Sequence, residues 1–358
     1  MSIEGEAGPT DVAGDRSRWR GRRLLILGIG VVLLLVLAGA LSYLLVDEGP
    51  SDDSDLRTAR VEVPAAENGY LIVKDLQVDL PFDEVSAWDA EGDSWDPRLG
   101  RRLLEKNAGA LMALEEALRK PRFQLPAIDR FDQMDVTVAM HLRRLSNLMG
   151  IRLRVHRESG EIGEALEDAL RILRFGRVLE GAGDTIVIFL VGDAIQETGL
   201  RLLETLRLLL SPSQAKECAR VLVKLRPDRE GLAESLRLEY RMVLPEVDAA
   251  AEGRSEDFPM PPLLRHLLFR RNATRRLFAD TYRGLLEEIR AGGSTRSIPD
   301  PFTSSGEKWW KERNALGRAL LKMTSPVFSA PTRMFELDRK FLEAAARFGG
   351  DDAASPAR

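Results

Sequence analysis

The chain has 358 residues, of which 52 are lysine or arginine and 56 are aspartate or glutamate, giving a net charge of −4. This mild acidity argues against bulk nucleic-acid binding, which needs a concentrated basic surface. The single cysteine, Cys218, excludes disulfides within the chain, so stability must come from a hydrophobic core.

A long apolar stretch near the amino end, residues 24–46, contains no charged residue. As a helix it would be roughly 34 Å long, enough to cross a hydrocarbon layer of about 30 Å. The apolar core of a signal peptide usually has only about 7–15 residues. We therefore expect a transmembrane signal-anchor helix that is retained. The small residues Ala38-Gly39-Ala40 fit a cleavage pattern, so removal of this stretch stays open as the alternative.

The charges on either side of residues 24–46 predict the orientation. Residues 1–23 hold five arginines, and acidic residues follow the apolar stretch: Asp47, Glu48, Asp52, Asp53 and Asp55. Arginines next to a span resist translocation, so residues 1–23 are expected to form a cytoplasmic tail. The chain would then cross the inner (cytoplasmic) membrane once, and the residues after the apolar stretch would lie outside the cytoplasm. The arginine, alanine, leucine and glycine usage is typical of a bacterial protein, and in a bacterium with two membranes this compartment is the periplasm.

The exported part has helical periodicity nearly throughout. Residues 47–66 are expected to form a polar linker, residues 67–349 the helical domain and residues 350–358 a disordered tail. Apolar residues step by three and four on several faces, for example Phe131, Met134, Val138, Leu142, Leu145 and Met149. The sequence therefore predicts an all-α bundle or array of about eight to ten helices, with a subdomain break near 253–262 or 291–306.

Three local features of the predicted helices can be compared directly with the structure. Residues 185–195 are rich in β-branched side chains, but they run without a turn into a helical pattern, so we expect one helix from Asp184 to Leu210, with a strand as the alternative. Ser213 is expected to cap the helix that carries Cys218. Pro331 is expected to begin the last helix and Gly349 to cap its end.

The sequence contains no motif that assigns a reaction. His141, His156 and His266 fall in no zinc-binding pattern, and there is no phosphate-binding loop, nucleophile elbow or complete dinucleotide fingerprint. Cys218 lies on an apolar helix face without a neighbouring histidine, as expected for a buried structural thiol. We therefore expect no catalytic, cofactor-binding or metal-ligating residues, and no cofactor.

A cluster of arginines and a pair of tryptophans are the candidate interaction residues. The cluster mixes with leucine and phenylalanine and suits contact with lipid head groups or an acidic partner. The other interpretation is a solvated helix rim whose arginines pair with neighbouring carboxylates. Two interpretations also stand for Trp309 and Trp310: packing in the core, or contact with a partner. The candidates are Arg265, Arg270, Arg271, Arg275, Arg276, Trp309 and Trp310.

These observations favour a membrane-anchored cell-envelope protein that binds another protein or a peptide without catalysing a reaction, because helical arrays offer grooves for such ligands. The alternatives are a hydrolase or lyase whose site forms only in three dimensions, or a carrier of lipid or another small ligand. The expected partners are the membrane, through residues 24–46, and an envelope protein or peptide.

Overall fold

A computed structural model describes residues 27–39, 47–57, 59–80, 95–182, 184–255, 261–262, 265, 268–293, 314–323 and 325–349. Within these residues the regular secondary structure is helical, with no β-strand, so the all-α prediction is confirmed. The predicted cytoplasmic tail, the whole of the predicted carboxyl-terminal tail, and Trp309 and Trp310 lie outside the described residues, as do residues 24–26 and 40–46 of the predicted anchor.

The α-helices are numbered in chain order from the apolar amino-terminal helix. They are α1 (27–39), α2 (Tyr70–Val73), α3 (Pro97–Lys106), α4 (Ala108–Leu118), α5 (Val136–Glu158), α6 (Ile162–Glu180), α7 (Ile186–Glu204), α8 (Pro212–Lys224), α9 (Arg229–Glu252), α10 (Arg271–Ala291), α11 (Ala315–Met323) and α12 (Ser325–Gly349). None of the helices in the described residues combines the length and apolarity that crossing a membrane requires.

The predicted helix over residues 184–210 is confirmed as α7, although it ends at Glu204 and a short 3₁₀ helix follows at Arg207–Leu209. Thr185 caps α7, and its hydroxyl accepts the backbone N–H of Ile188. The β-branched residues of this stretch fit a helix because α7 is largely buried, so that side-chain packing outweighs their weak helix propensity.

Two predictions about helix starts are wrong. The cap of α8 is Ser211, not Ser213: its hydroxyl accepts the N–H of Gln214, whose side chain accepts the N–H of Ser211, and Pro212 occupies the first turn. Pro331 does not begin the last helix, which starts at Ser325 and carries the proline inside it. A proline in the first turn of a helix costs no intrahelical hydrogen bond, because the N–H groups there have no acceptor within the helix. A proline inside the helix removes one such bond.

Helices α6 and α7 cross in backbone contact. A Cβ atom at Gly176 would lie 2.6 Å from the carbonyl oxygen of Gly192, and one at Gly192 would lie 2.6 Å from that of Gly176. Real side chains do not approach so closely, so this crossing requires glycine at both positions. The contact brings the backbones of α6 and α7 together at this point.

Two apolar cores lie on either side of α7. The first contains side chains of α2 to α8 and the carboxyl-terminal half of α12, including Cys218. The second is formed mainly by α9, α10, α11 and the first half of α12, together with Ile186 and Phe189 of α7 and with Leu56. The second core therefore includes helices on both sides of residues 253–262 and 291–306. Among the described residues, neither core includes one that precedes Leu56.

Candidate anion-binding site

The start of α10 is held by the residue that directly follows the apolar stretch. The carboxylate of Asp47 accepts the backbone N–H groups of Asn272 (2.8 Å) and Ala273 (3.3 Å). These N–H groups lie in the first turn of the helix, where no intrahelical acceptor exists and negative charge is favoured. The side chain of Arg270, the residue at the cap position, makes no capping hydrogen bond. Asp47 therefore caps the helix in its place.

The acidic residues after Asp47 continue along the same helix. Glu48 pairs with Arg276 at 2.7 Å, and Arg283 pairs with Asp55 at 2.7 Å. Leu56 is fully buried in the second core. The first part of the predicted linker is therefore attached to α10 by charge, hydrogen bonds and apolar packing.

Beside this contact lies an open cleft of about 430 Å³, which we call the arginine cleft. Its floor comes from α9, where Leu244, Pro245 and Ala249 face it. Because Pro245 has no N–H, it cannot donate the intrahelical bond to the carbonyl of Arg241, one turn earlier. Five arginines surround the cleft: Arg57, Arg130, Arg241, Arg254 and Arg275.

Carboxylates hold several of these guanidinium groups in place. Both oxygens of Asp248 accept from Nη2 of Arg275 at 2.7 Å, and Oδ1 also accepts from Nε of Arg271 at 2.8 Å. Arg57 donates to Asp53 at 2.7 Å. Arg130 and Arg254, which also line the cleft, contact Asp132 and Glu252. Arginine is well suited to bind phosphate or carboxylate by paired hydrogen bonds.

Asp53 connects the cleft to the second core. The buried hydroxyl of Tyr240 donates to its Oδ2 at 2.6 Å, and burial raises the pKa of that tyrosine. Burial alone would raise the pKa of Asp53, but the hydrogen bonds from Tyr240 and Arg57 outweigh it and the pKa is lowered. Asp53 therefore stays ionised and keeps Arg57 at the rim of the cleft.

The predicted arginine cluster is divided among different environments. Arg271 and Arg275 lie at the cleft, and Arg276 contacts Glu48. Arg270 is only 5% exposed. Arg265 packs on Gly253, where a Cβ would lie 1.5 Å from its Nη1, and Gly253 has a φ of +73° that itself favours glycine. Pairing with neighbouring carboxylates, the second interpretation of the cluster, thus describes Arg271, Arg275 and Arg276.

Sequence reasoning missed most of the cleft. Arg57, Arg130, Arg241 and Arg254 come from three separate segments, and in the sequence each stands among other charged or polar residues. Only Pro245 inside a helical pattern carried a local signal, because an interior proline marks an irregular helix.

The single cysteine and two of the three histidines also lie among the described residues. Cys218 is 1% exposed, and burial raises the pKa of its thiol to about 12, so the expectation of a buried thiol is confirmed. His141 lies with Nε2 2.8 Å from the carbonyl oxygen of Val73, and His156 lies with Nδ1 3.0 Å from Asp168. His266 is outside the described residues. In the part of the chain that is described, no three side chains of the metal-ligating types converge as a metal would require.

A scan against protein-family models gave no match, and searches of the curated proteins and of the solved structures gave none either.

Proposed function

We propose that this chain is a membrane-anchored, non-catalytic binding protein of the cell envelope whose arginine cleft binds the phosphate groups of anionic lipid beside its anchor. One observation carries the proposal. Asp47, the first residue after the apolar stretch, binds the first turn of α10, and the cleft arginine Arg275 lies one turn further along. An anchor that ends at Val46 would therefore hold the cleft next to the membrane surface.

The anchor itself is supported by sequence and by exposure. Residues 24–46 are without charge, and arginines precede them. Within residues 27–39 every large apolar side chain is more than half exposed: Leu27, Ile29, Val31, Val32, Leu33, Leu34, Leu35, Val36 and Leu37. A continuous exposed apolar surface of this kind is typical of a membrane or protein contact.

The first test concerns orientation. Alkaline phosphatase fused after Ser54 should be active, and green fluorescent protein fused at the same point should be dark, because the arginines of residues 1–23 hold the amino end in the cytoplasm. The opposite pair of results would contradict the proposed topology. A mature chain beginning at Leu41 would show that the apolar stretch is cleaved.

The second test concerns the cleft. Both cores are built from residues after Val46, so residues 47–358 can be assayed by flotation with vesicles that contain anionic lipid. The double variant Arg130→Gln with Arg254→Gln removes two exposed cleft arginines that pair with exposed or half-exposed carboxylates. Each arginine near an anionic surface contributes about 1 kcal/mol, so binding should weaken roughly thirty-fold at low salt. The difference should shrink as added salt shortens the Debye length to about 8 Å.

The matched control removes the same charge elsewhere. Arg220 on α8 and Arg339 on α12 are exposed and contribute nothing to the cleft lining, so Arg220→Gln with Arg339→Gln should lower vesicle binding much less. Equal losses in the two double variants would show that only overall charge matters. If the wild-type protein does not bind vesicles but binds an acidic peptide through the cleft, the partner is a protein rather than lipid.

A further inference from the structure

An acidic strap, residues 47–55, joins the apolar stretch to the second core along the surface of α10. It contains five acidic residues and no basic one. The carboxylate of Asp47 accepts N–H groups in the first turn of the helix. Further along, Glu48 pairs with Arg276 and Asp55 pairs with Arg283. Backbone carbonyl groups of the strap also accept side-chain donors of this helix, at Glu48, Gly49 and Asp52. The strap thus follows α10 over about 16 Å of helix.

The two ends of the strap are held by different forces. At the carboxyl-terminal end Asp53 is buried and accepts the hydroxyl of Tyr240, and Leu56, directly beyond the strap, is fully buried in the second core. Residues 47–52 contribute no side chain to either core. They are exposed or partly exposed, and they contact α10 through hydrogen bonds and an ion pair. Exposed ion pairs are weak and are screened by salt. Residues 47–52 can therefore leave α10 while Leu56 stays in the core.

The strap begins where the proposed anchor ends, so its first residues lie nearest to the membrane surface. An anionic leaflet repels carboxylates and attracts arginines within about a Debye length, roughly 8 Å. It would therefore act against Asp47 and Glu48 and in favour of Arg276. Lipid phosphate can also accept the first-turn N–H groups that Asp47 occupies, because the start of a helix binds either anion. Anionic lipid thus competes with residues 47–52 for the groups that they contact on α10.

We propose that the acidic strap is an electrostatic switch. On neutral lipid it is bound along α10, and anionic lipid displaces residues 47–52 and takes their place at the first turn of the helix and at Arg276. This inference rests on the proposed anchor at residues 24–46, but it does not require lipid in the arginine cleft. Displacement frees six residues, which reach up to about 20 Å when extended. The domain then pivots about Asp53 on a longer tether.

The measurement is the distance between two nitroxide labels on the full-length protein in nanodiscs. Gly49→Cys accepts a label, because a Cβ there would meet no other atom within 4 Å, and Glu287→Cys places the second label at an exposed position of α10. Cys218 is buried and stays unlabelled. On phosphatidylcholine alone we expect one short, narrow distance distribution. With phosphatidylglycerol added, the distribution should broaden and its mean should lengthen by roughly 10 Å, because residues 47–52 leave the helix.

A strap variant and a matched control test the cause. Asp47→Ala with Glu48→Gln removes the outer contacts of the strap, so the long, broad distribution should appear on phosphatidylcholine as well. Glu217→Gln with Glu343→Gln removes the same charge at exposed positions on α8 and α12. This control should respond to phosphatidylglycerol as the wild-type protein does.

Three results would overturn the proposal: the same short distance on both lipids, a long distance on phosphatidylcholine in the wild-type protein, or a short distance there in the strap variant. A chain that does not elute with the nanodisc would contradict the anchor and with it the switch. Failure of the cleft is distinguishable, because the flotation test depends on Arg130 and Arg254, whose carboxylate partners lie outside the strap. A strap that stays bound on anionic lipid while those variants still weaken flotation would overturn the switch alone.

Discussion

Asp168→Asn should lower the free energy of unfolding by about 3 kcal/mol or more, because it removes a buried charge on which other charges depend. Asp168 of α6 is 0% exposed. Its Oδ1 accepts from Nε of Arg152 at 2.9 Å and from Nη1 of Arg171 at 3.0 Å, and its Oδ2 lies 3.0 Å from Nδ1 of His156. Asparagine is neutral, and its amide would place a donor among these donors.

The loss of stability should not be confined to α6, because Arg152 also donates to Glu115 of α4 at 2.8 Å. Asp168 thus connects α4, α5 and α6 through one network in which Arg152 is mostly buried. Truncating one partner of a buried ion pair leaves the other charge without compensation, which costs more than the pair itself contributes.

The neighbouring residue provides the control. Glu167 is 51% exposed and lies 3.9 Å from Arg171, so Glu167→Gln should change stability by no more than about 0.5 kcal/mol. Urea unfolding of both variants measures the difference. Similar midpoints for Asp168→Asn and Glu167→Gln would show that the buried network adds little to stability.

Periodicity predicted most of the helices because each buries one face. The stripe from Val138 to Met149 lies on α5, and Leu142, Leu145 and Met149 are buried in the first core. Residues 185–195 were interpreted correctly because length and continuity favour a helix over β-branched composition. The two wrong starts, at Ser213 and Pro331, arose where another serine or proline stands a few positions earlier: Ser211 with Pro212 begins α8, and α12 begins at Ser325.

The arginine cleft was beyond sequence reasoning for a different reason. It combines residues from distant segments, for example Arg57 with Arg275. Helical periodicity shows which side of a helix is buried, but it does not specify which helices become neighbours. The Asp47 contact with α10 joins residues more than 220 positions apart, and nothing in either segment alone predicts it.

A group of buried carboxyl groups around α7 predicts an unusual pH dependence of stability. Burial raises the pKa of Asp193 to about 6 and that of Glu239 to about 7, and it also raises the pKa of Glu180. Glu180 and Glu239 serve as acceptors for the backbone N–H groups of Asp228 and Ile186. The ionised form of Asp193 has fewer stabilising contacts than those of Glu180 and Glu239. Arg333 approaches it only to 3.6 Å, and its Oδ1 has no hydrogen-bond partner among the described residues.

The sign follows from the direction of the shift. When the pKa of an acid is higher in the folded state, its contribution to stability is fully present below the unfolded pKa. For Asp193 that contribution is lost as the pH rises from the unfolded value of 3.8 to the folded value of about 6. At 1.36 kcal/mol for each pKa unit, the loss is about 3 kcal/mol, and Glu239 adds a loss of the same sign between 4.5 and about 7.

Asp193→Asn should therefore be more stable than the wild-type protein at pH 8, by up to about 3 kcal/mol, while the two proteins should converge near pH 4. Urea unfolding across this range measures the difference. Glu197→Gln is the control, because Glu197 lies one turn away, is 49% exposed and pairs with Lys340, so its effect on stability should be small. If Asp193→Asn is less stable than the wild type at pH 8, the pairing of Asp193 with Arg333 outweighs the cost of burying its charge. The carboxylate would then stabilise the packing of α12 on α7 in its ionised form.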